Sequence, residues 1–270
     1  MKLVIKLSGK VLEDEDLTRS LSHQVYQLAA AEHSLVLIHG GGKQLTNLCR
    51  ERGIAVQQVQ GRRITDAATL EAAQMVFSSL NRGLTAALCA RGVEAVGFSG
   101  FDGGLTTARR RPPVEMQDGP GGELKTIDFG FVGDIVSVDP TLIQMLWEAG
   151  FTPVISCLCA DDGQILNVNA DTLTAQLAVS LSADRVISVS DVDGIYSDPK
   201  DPASKIPALN ADTARQLLEE GVFLEGMIPK IQNALDALDQ GIPVFQVLSG
   251  LEANSLVGFR DPESGTVITR

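Results

Sequence analysis

Six short runs of aliphatic and β-branched residues recur along the 270-residue chain: LVIKLS, SLVLIH, AVGFS, TPVISC, RVISVSD and IPVFQVLSG. A strand with one wet face alternates apolar and polar residues. These runs are apolar almost throughout, so both of their faces must be covered. The segments at residues 18–33 and 66–89 carry the helical period, and a further helix follows the glycines at 40–42. Helices of this length supply the cover and also the crossovers that join parallel neighbours. The pattern predicts an α/β fold, a three-layer αβα sandwich around a mainly parallel central sheet. The first strand is expected to open at Lys2.

The middle of the chain breaks this rhythm. RRRPPVEMQDGPGGELKTIDFGFVGDI, residues 109–135, has no helical period and a Gly/Pro turn at its centre. An antiparallel flap turning around residues 118–122 is expected there. SDPKDPASK, residues 197–205, reads as a second loop over the carboxyl ends of the later strands. No repeat period and no sharp linker appear. Two lobes are expected, residues 1–160 and 161–270, parting near residues 155–164 and sharing one sheet.

Composition excludes some classes. The net charge is −12, which argues against a nucleic-acid partner, because phosphate backbones require a basic footprint. A small anionic ligand needs only a local positive patch. The opening MKLVIKLSGK is too short and too charged for a signal peptide or a membrane span. Four cysteines with only three histidines make a metal site a poor reading, and buried thiols in a reducing cytosol a better one. A cytoplasmic protein with no membrane partner is expected.

Several residues invite chemistry. Lys6 interrupts an apolar strand, and Ser8-Gly9 after it allows a ligand close to the backbone. Alone, Lys6 reads equally well as a solvated edge residue. IHGGGKQ is a strand, three glycines and a helix start, a geometry that suits an anion. It lacks the spacing of a Walker A loop and of a dinucleotide fingerprint, and a tight turn would explain it too. Arg62 and Arg63 precede a helix capped by Thr65 or Asp66; they are surface charge or a fork for a carboxylate. In ILNVNADT, an extended chain over residues 166–170 would put Asn167, Asn169 and Asp171 on one face. A helix start would instead make Asn169 the N-cap with Asp171 in the first turn, leaving Asn167 unexplained. Lys230 follows Pro229 in the first turn of a helix, where a cation opposes the dipole. Such local conflicts cluster at sites.

In chain order, IKLSG, IHGGG, GRRITD, AVGFSGFDGG, DFGFVGDI, LNVNADT, SDVDGIY and GMIPKI resemble the amino acid kinase family, most closely its acetylglutamate kinase branch. The resemblance runs nearly end to end. It implies the amino acid kinase fold and ATP-dependent phosphorylation of the side-chain carboxylate of N-acetyl-L-glutamate, in ornithine and arginine biosynthesis. It implies Lys6 and Lys230 as transition-state stabilisers, with Asp171 organising both. Gly41 and Gly42 would hold the reacting group, and Arg63 and Asn167 the acceptor. ATP, carrying its own Mg²⁺, would lie against Gly9, against Asp191, Val192, Asp193, Gly194, Ile195 and Tyr196, and against Val222, Phe223 and Leu224. No resident metal is implied. The chain departs from the family pattern at Ser8, where glycine is usual, and at Phe101, where lysine is common. Another carboxylate acceptor, carrier-bound aminoadipate or glutamate, is the alternative substrate, and a non-catalytic nucleotide- or amino-acid-binding regulator the alternative class. Arginine-inhibited relatives carry an extra helix before the first strand that links dimers into a ring. A strand opening at Lys2 therefore leads to the expectation of a homodimer insensitive to arginine.

Overall fold

In strand β1 (Lys2–Leu7) the side chains alternate between two cores. Leu3, Ile5 and Leu7 pack with Leu21, Val25 and Leu28 of helix α1 (Glu15–Ala30). Val4 faces the other way, into a core shared with Leu45 and Cys49 of α2 (Gly42–Glu51). Each fully buried leucine or isoleucine of this kind contributes about 1.5–3 kcal/mol. The period of two places Lys6 on Val4's side of the sheet, at the strand's carboxyl end. The computed structural model describes every residue except 60–61, 118–122, 199, 225, 253 and 262–263.

The remaining strands of the central sheet are β2 (Ser34–His39), β3 (Ala95–Ser99), β4 (Thr152–Ser156), β5 (Arg185–Ser190), β6 (Ala208–Asn210), β7 (Val244–Ser249) and β8 (Thr266–Thr269). Their order is β6-β8-β7-β5-β1-β2-β4-β3. β1 lies between β2 and β5, parallel to both. Only the β7–β8 pairing is antiparallel, so β8 and its parallel neighbour β6 run against the other strands. Six carboxyl ends therefore meet along one edge. The helices between them are α3 (Ala67–Cys89), α4 (Thr141–Glu148), α5 (Ala170–Ser180), α6 (Ala211–Glu219) and α7 (Ile228–Asp239). α1 and the later half of α3 cover one face, while α2, α5 and α7 cover the other.

The expected mainly parallel sheet and its helical layers are present, with differences of local origin. α1 starts three residues before the expected helix because the Asp14 carboxylate accepts from the backbone N–H groups of Asp16 and Leu17 and caps it. β6 and β8 were not expected: they are short edge strands with little apolar signal. Gly265 brings the chain into β8 at φ +75°, where a Cβ would stand 2.0 Å from the Val247 carbonyl oxygen. In the middle segment Val114–Gln117 pairs antiparallel with Leu124–Ile127, while the turn at 118–122 lies outside the described residues. Four further antiparallel pairs form among the described residues: Thr106–Arg110 with Gly133–Val138, Leu158–Asp161 with Gln164–Asn167, Gln58–Val59 with Arg62–Arg63, and Ile195–Tyr196 with Lys205–Ile206. Cys49, Cys157 and Cys159 are buried free thiols, but Cys89, the last residue of α3, is exposed. Among the described residues, no helix is long and apolar enough to cross a membrane.

Candidate active site

Lys6 extends from the carboxyl end of β1 to Asp171, with Nζ 3.1 Å from Oδ1; the two side chains are 22% and 27% exposed. Asp171 reaches that place because Asn169 caps α5. The Asn169 Oδ1 accepts from Asp171 N at 2.7 Å and Thr172 N at 3.1 Å. The single extended face over Asn167, Asn169 and Asp171 does not form: the strand ends at Asn167 and the helix begins at Ala170. Asn167 stays on the strand, and its Nδ2 donates to Thr65 Oγ1 at 3.2 Å. Asn169→Ala is expected to lower stability by about 1 kcal/mol through the lost cap. Thermal unfolding of the two proteins measures this directly.

The glycines after β2 differ in their reasons. A Cβ on Gly41 would lie 2.7 Å from Leu80 Cδ1 and 3.0 Å from the Phe77 ring, whereas one on Gly42 would meet nothing within 4 Å. Gly41 is required by packing, and Gly42 leaves the cleft open at the first turn of α2, where backbone N–H groups lack helical acceptors. His39 is fully buried. Its Nδ1 lies 2.9 Å from the Gly40 carbonyl oxygen and its Nε2 accepts from Asn81 Nδ2 at 3.1 Å. Burial lowers its pKa, so the ring is a neutral structural element.

Arg63 is held by two of its donors. Nη2 donates to the Gly42 carbonyl at 2.9 Å and to Thr46 Oγ1 at 2.6 Å. Its Nη1 is buried and has no partner among the described residues, and burial lowers the pKa of the guanidinium. An unsatisfied charged donor of this kind is costly and marks a place for an anion. Arg63 borders two connected spaces. The inner one, about 290 Å³, is lined by Lys6, Gly9, Gly41, Gly42, Asn167 and Asp171. The outer one, about 630 Å³, adds Lys43, Arg62 and Arg111. Arg111 is itself anchored on Asp134 and stands over the Phe129 ring.

On the other side of Lys6, a cleft of about 290 Å³ is lined by Asp171, Ser190, Asp191 and Lys230. Lys230 sits in the first turn of α7, beside Pro229. Its ammonium donates to Ser190 Oγ at 2.9 Å. Asp171 is expected to organise both lysines; among the described residues it ion-pairs with Lys6, while the Lys230 ammonium is held by Ser190 of β5 and feels the Asp171 charge from farther away. Burial pushes the Lys230 pKa below its ordinary value, with Lys6 adding to the effect and Asp191 and Asp171 opposing it. Burial works to raise the Asp191 carboxyl, but the hydrogen bond from Lys10 and the charge of Lys230 outweigh it and hold it low.

A further space of about 290 Å³ is lined by Asp191, Val192, Asp193, Tyr196, Met227 and Ser249, among others. Tyr196 donates to Asp193 Oδ1 at 2.5 Å, and burial together with that carboxylate pushes the phenol up to about 12. Gly194 and Ile195 shape the turn rather than line the space. A Cβ on Gly194 would meet Thr266 Oγ1 at 2.8 Å, and Ile195 is buried with its N–H donating to the same oxygen at 2.7 Å. Val222, Phe223 and Leu224 line none of these spaces: Phe223 belongs to the core and Leu224 is exposed. Gly9 borders the inner acceptor-side space, where its carbonyl accepts from Gln44 Nε2 at 2.6 Å. Sequence reasoning passed over Ser190, Met227 and Ser249. A signal existed, since β1 and β7 both run into Ser-Gly, at 8–9 and 249–250.

The amino acid kinase family model matches residues 1–245. The chain is 41% identical to an acetylglutamate kinase of Sorangium cellulosum over 256 residues, 94% of this chain and 89% of the relative. It is 38% identical to an acetylglutamate kinase of Myxococcus xanthus, over 99% of this chain and 88% of the relative. Among solved structures it is similar to N-acetylglutamate synthase from Neisseria gonorrhoeae complexed with coenzyme A and N-acetyl-glutamate, with a TM-score of 0.82 at 26% identity. That match covers 100% of this chain, which spans 59% of the longer synthase chain.

Proposed function

The chain belongs to the amino acid kinase family, and from that premise we propose that it transfers the γ-phosphoryl group of ATP to the side-chain carboxylate of N-acetyl-L-glutamate, yielding an acyl phosphate for ornithine and arginine biosynthesis. One observation carries the site assignment: Lys6 and Lys230 approach one cleft from two elements, and on the other side of Lys6 the buried Nη1 of Arg63 is left without a partner among the described residues.

A carboxylate is already a nucleophile, so no general base is needed. The obstacle is bringing one anion to another, and catalysis is then positioning and charge stabilisation. Lys6 and Lys230 carry positive charge to the transferring group. Asp171 fixes Lys6. The N–H groups beside Gly41 and Gly42 receive the reacting oxygens, while Arg63 and Asn167 hold the acceptor's remaining polar groups. Mg²⁺ enters as part of the substrate MgATP, whose base and ribose lie along Asp191, Val192, Asp193 and Tyr196. In this reading residues 1–160 form the acceptor lobe and 161–270 the nucleotide lobe, with Asn167 and Asp171 reaching across. We place the protein as a homodimer, the commonest closed assembly. The Lys6–Asp171 pair favours a catalyst over a binding regulator, which would have no use for it.

Hydroxylamine trapping of the acyl phosphate tests the reaction. With ATP, a hydroxamate is expected from N-acetylglutamate and little from glutamate, aspartate or N-acetylaminoadipate. Preference for another acceptor, or ATP hydrolysis without hydroxamate, overturns the assignment. Light scattering is expected to give twice the chain mass of 28.7 kDa.

A further inference from the structure

Ser190 is the last residue of β5, 5% exposed and locked in place from the backbone. Its carbonyl accepts from Gly250 N at 2.6 Å, and a Cβ on Gly250 would collide with Val11 and Val189. The hydroxyl bonds in both directions: it accepts from Lys230 Nζ at 2.9 Å and donates to Asp191 Oδ1 at 3.2 Å. The other oxygen of Asp191 receives Lys10 Nζ at 3.2 Å. Among the described residues, Lys230 has no carboxylate oxygen within ion-pair distance. Its ammonium is held by a neutral oxygen.

We propose that Ser190 is the positioning residue for Lys230: its hydroxyl, oriented by Asp191, holds the ammonium opposite Lys6 without neutralising it. The inference rests on the phosphoryl-transfer reading above. Its physical basis is a contrast between the two lysines. Lys6 is tied by a carboxylate, which fixes it but offsets part of its charge. Lys230 reaches the cleft on a long flexible stem and would lose several rotamers if held only by the incoming phosphate. A hydroxyl removes that freedom beforehand and, being neutral, sets no charge of its own against the ammonium. Donation to Asp191 makes the serine oxygen a better acceptor. Asp191 thus acts on Lys230 by its charge and through the serine hydroxyl, and ion-pairs with Lys10 directly.

The test compares Ser190→Ala with Ser190→Thr, which keeps the hydroxyl and suits a strand end. Ser190→Ala is expected to lower kcat about tenfold, as loss of one hydrogen bond to a charged group would, with the KM for ATP nearly unchanged. Ser190→Thr is expected to restore most of it. In a Lys230→Ala background, Ser190→Ala is expected to cost nothing further, because the group it positions is gone. Lysine side-chain NMR titration, run without substrates, adds a readout a packing role would not move. Loss of the acceptor disfavours the charged form, so the Lys230 titration, set by burial and by Asp191, Lys6 and Asp171 around it, moves to lower pH in Ser190→Ala and returns in Ser190→Thr. Unchanged kcat, an equal loss in both backgrounds, or an unmoved titration each overturns the inference. If the wild-type protein makes no acyl phosphate, the reading of its function falls, and the titration still decides the role of Ser190.

Discussion

Lys230→Ala is expected to lower kcat by about 10²–10³-fold, or ~2.7–4 kcal/mol of barrier, with the KM for ATP nearly constant. Lys6→Ala is expected to do the same. The two ammonium groups matter most while charge shifts on the transferring phosphoryl group, and interactions stronger in the transition state appear in turnover rather than in binding. Lys230 is partly buried, where Coulomb interactions are less screened than in water. Its lowered pKa adds a second sign. Turnover should fall as pH rises through a value below that of an ordinary lysine, because the deprotonated amine carries no charge to the phosphate. Steady-state kinetics across pH on folded variants measure both effects. Near wild-type turnover in either variant removes that lysine from the mechanism.

The second large effect is expected at the acceptor end. Arg63→Ala should raise the KM for N-acetylglutamate roughly 10–100-fold, the range for losing one hydrogen bond between charged groups. The KM for ATP should move little, because the guanidinium borders the two acceptor-side spaces and neither space on the far side of Lys6. Arg63→Lys should recover only part of the loss. A single ammonium cannot both hold the Gly42 carbonyl and Thr46 and still present a planar donor to a carboxylate. A change confined to the ATP constant would reverse the two ends of the site.

Most of the parallel sheet was legible because burial on both faces writes itself into the chain as uninterrupted apolar runs. LVIKLS is an example: its one charge falls at the carboxyl end, where a strand of an open α/β sheet meets a ligand crevice. β6 and β8 were not legible. They are edge strands of three and four residues, and their stability comes from pairing that only the turn at Gly265 arranges. At the site, the cap at Asn169 could be read locally, since an N-cap and its first turn are neighbours in sequence. The partner of Lys230 could not. Ser190 lies forty residues away on another element, and as a residue of RVISVSD it looks like an ordinary strand position.

The sequence by itself determined the layered α/β class, the places where glycine interrupts a strand-to-helix turn, and the types of charge available, because periodicity and backbone freedom are local properties. It also carried Lys6, Asp171 and Lys230 as chemically conspicuous residues. Only the tertiary structure decided how they pair: β5 next to β1, and α5 over Val4's face, bring Asp171 to Lys6 and Ser190 to Lys230. A lysine's reach of several rotatable bonds is compatible with many acceptors, and the packing of the sheet selects one.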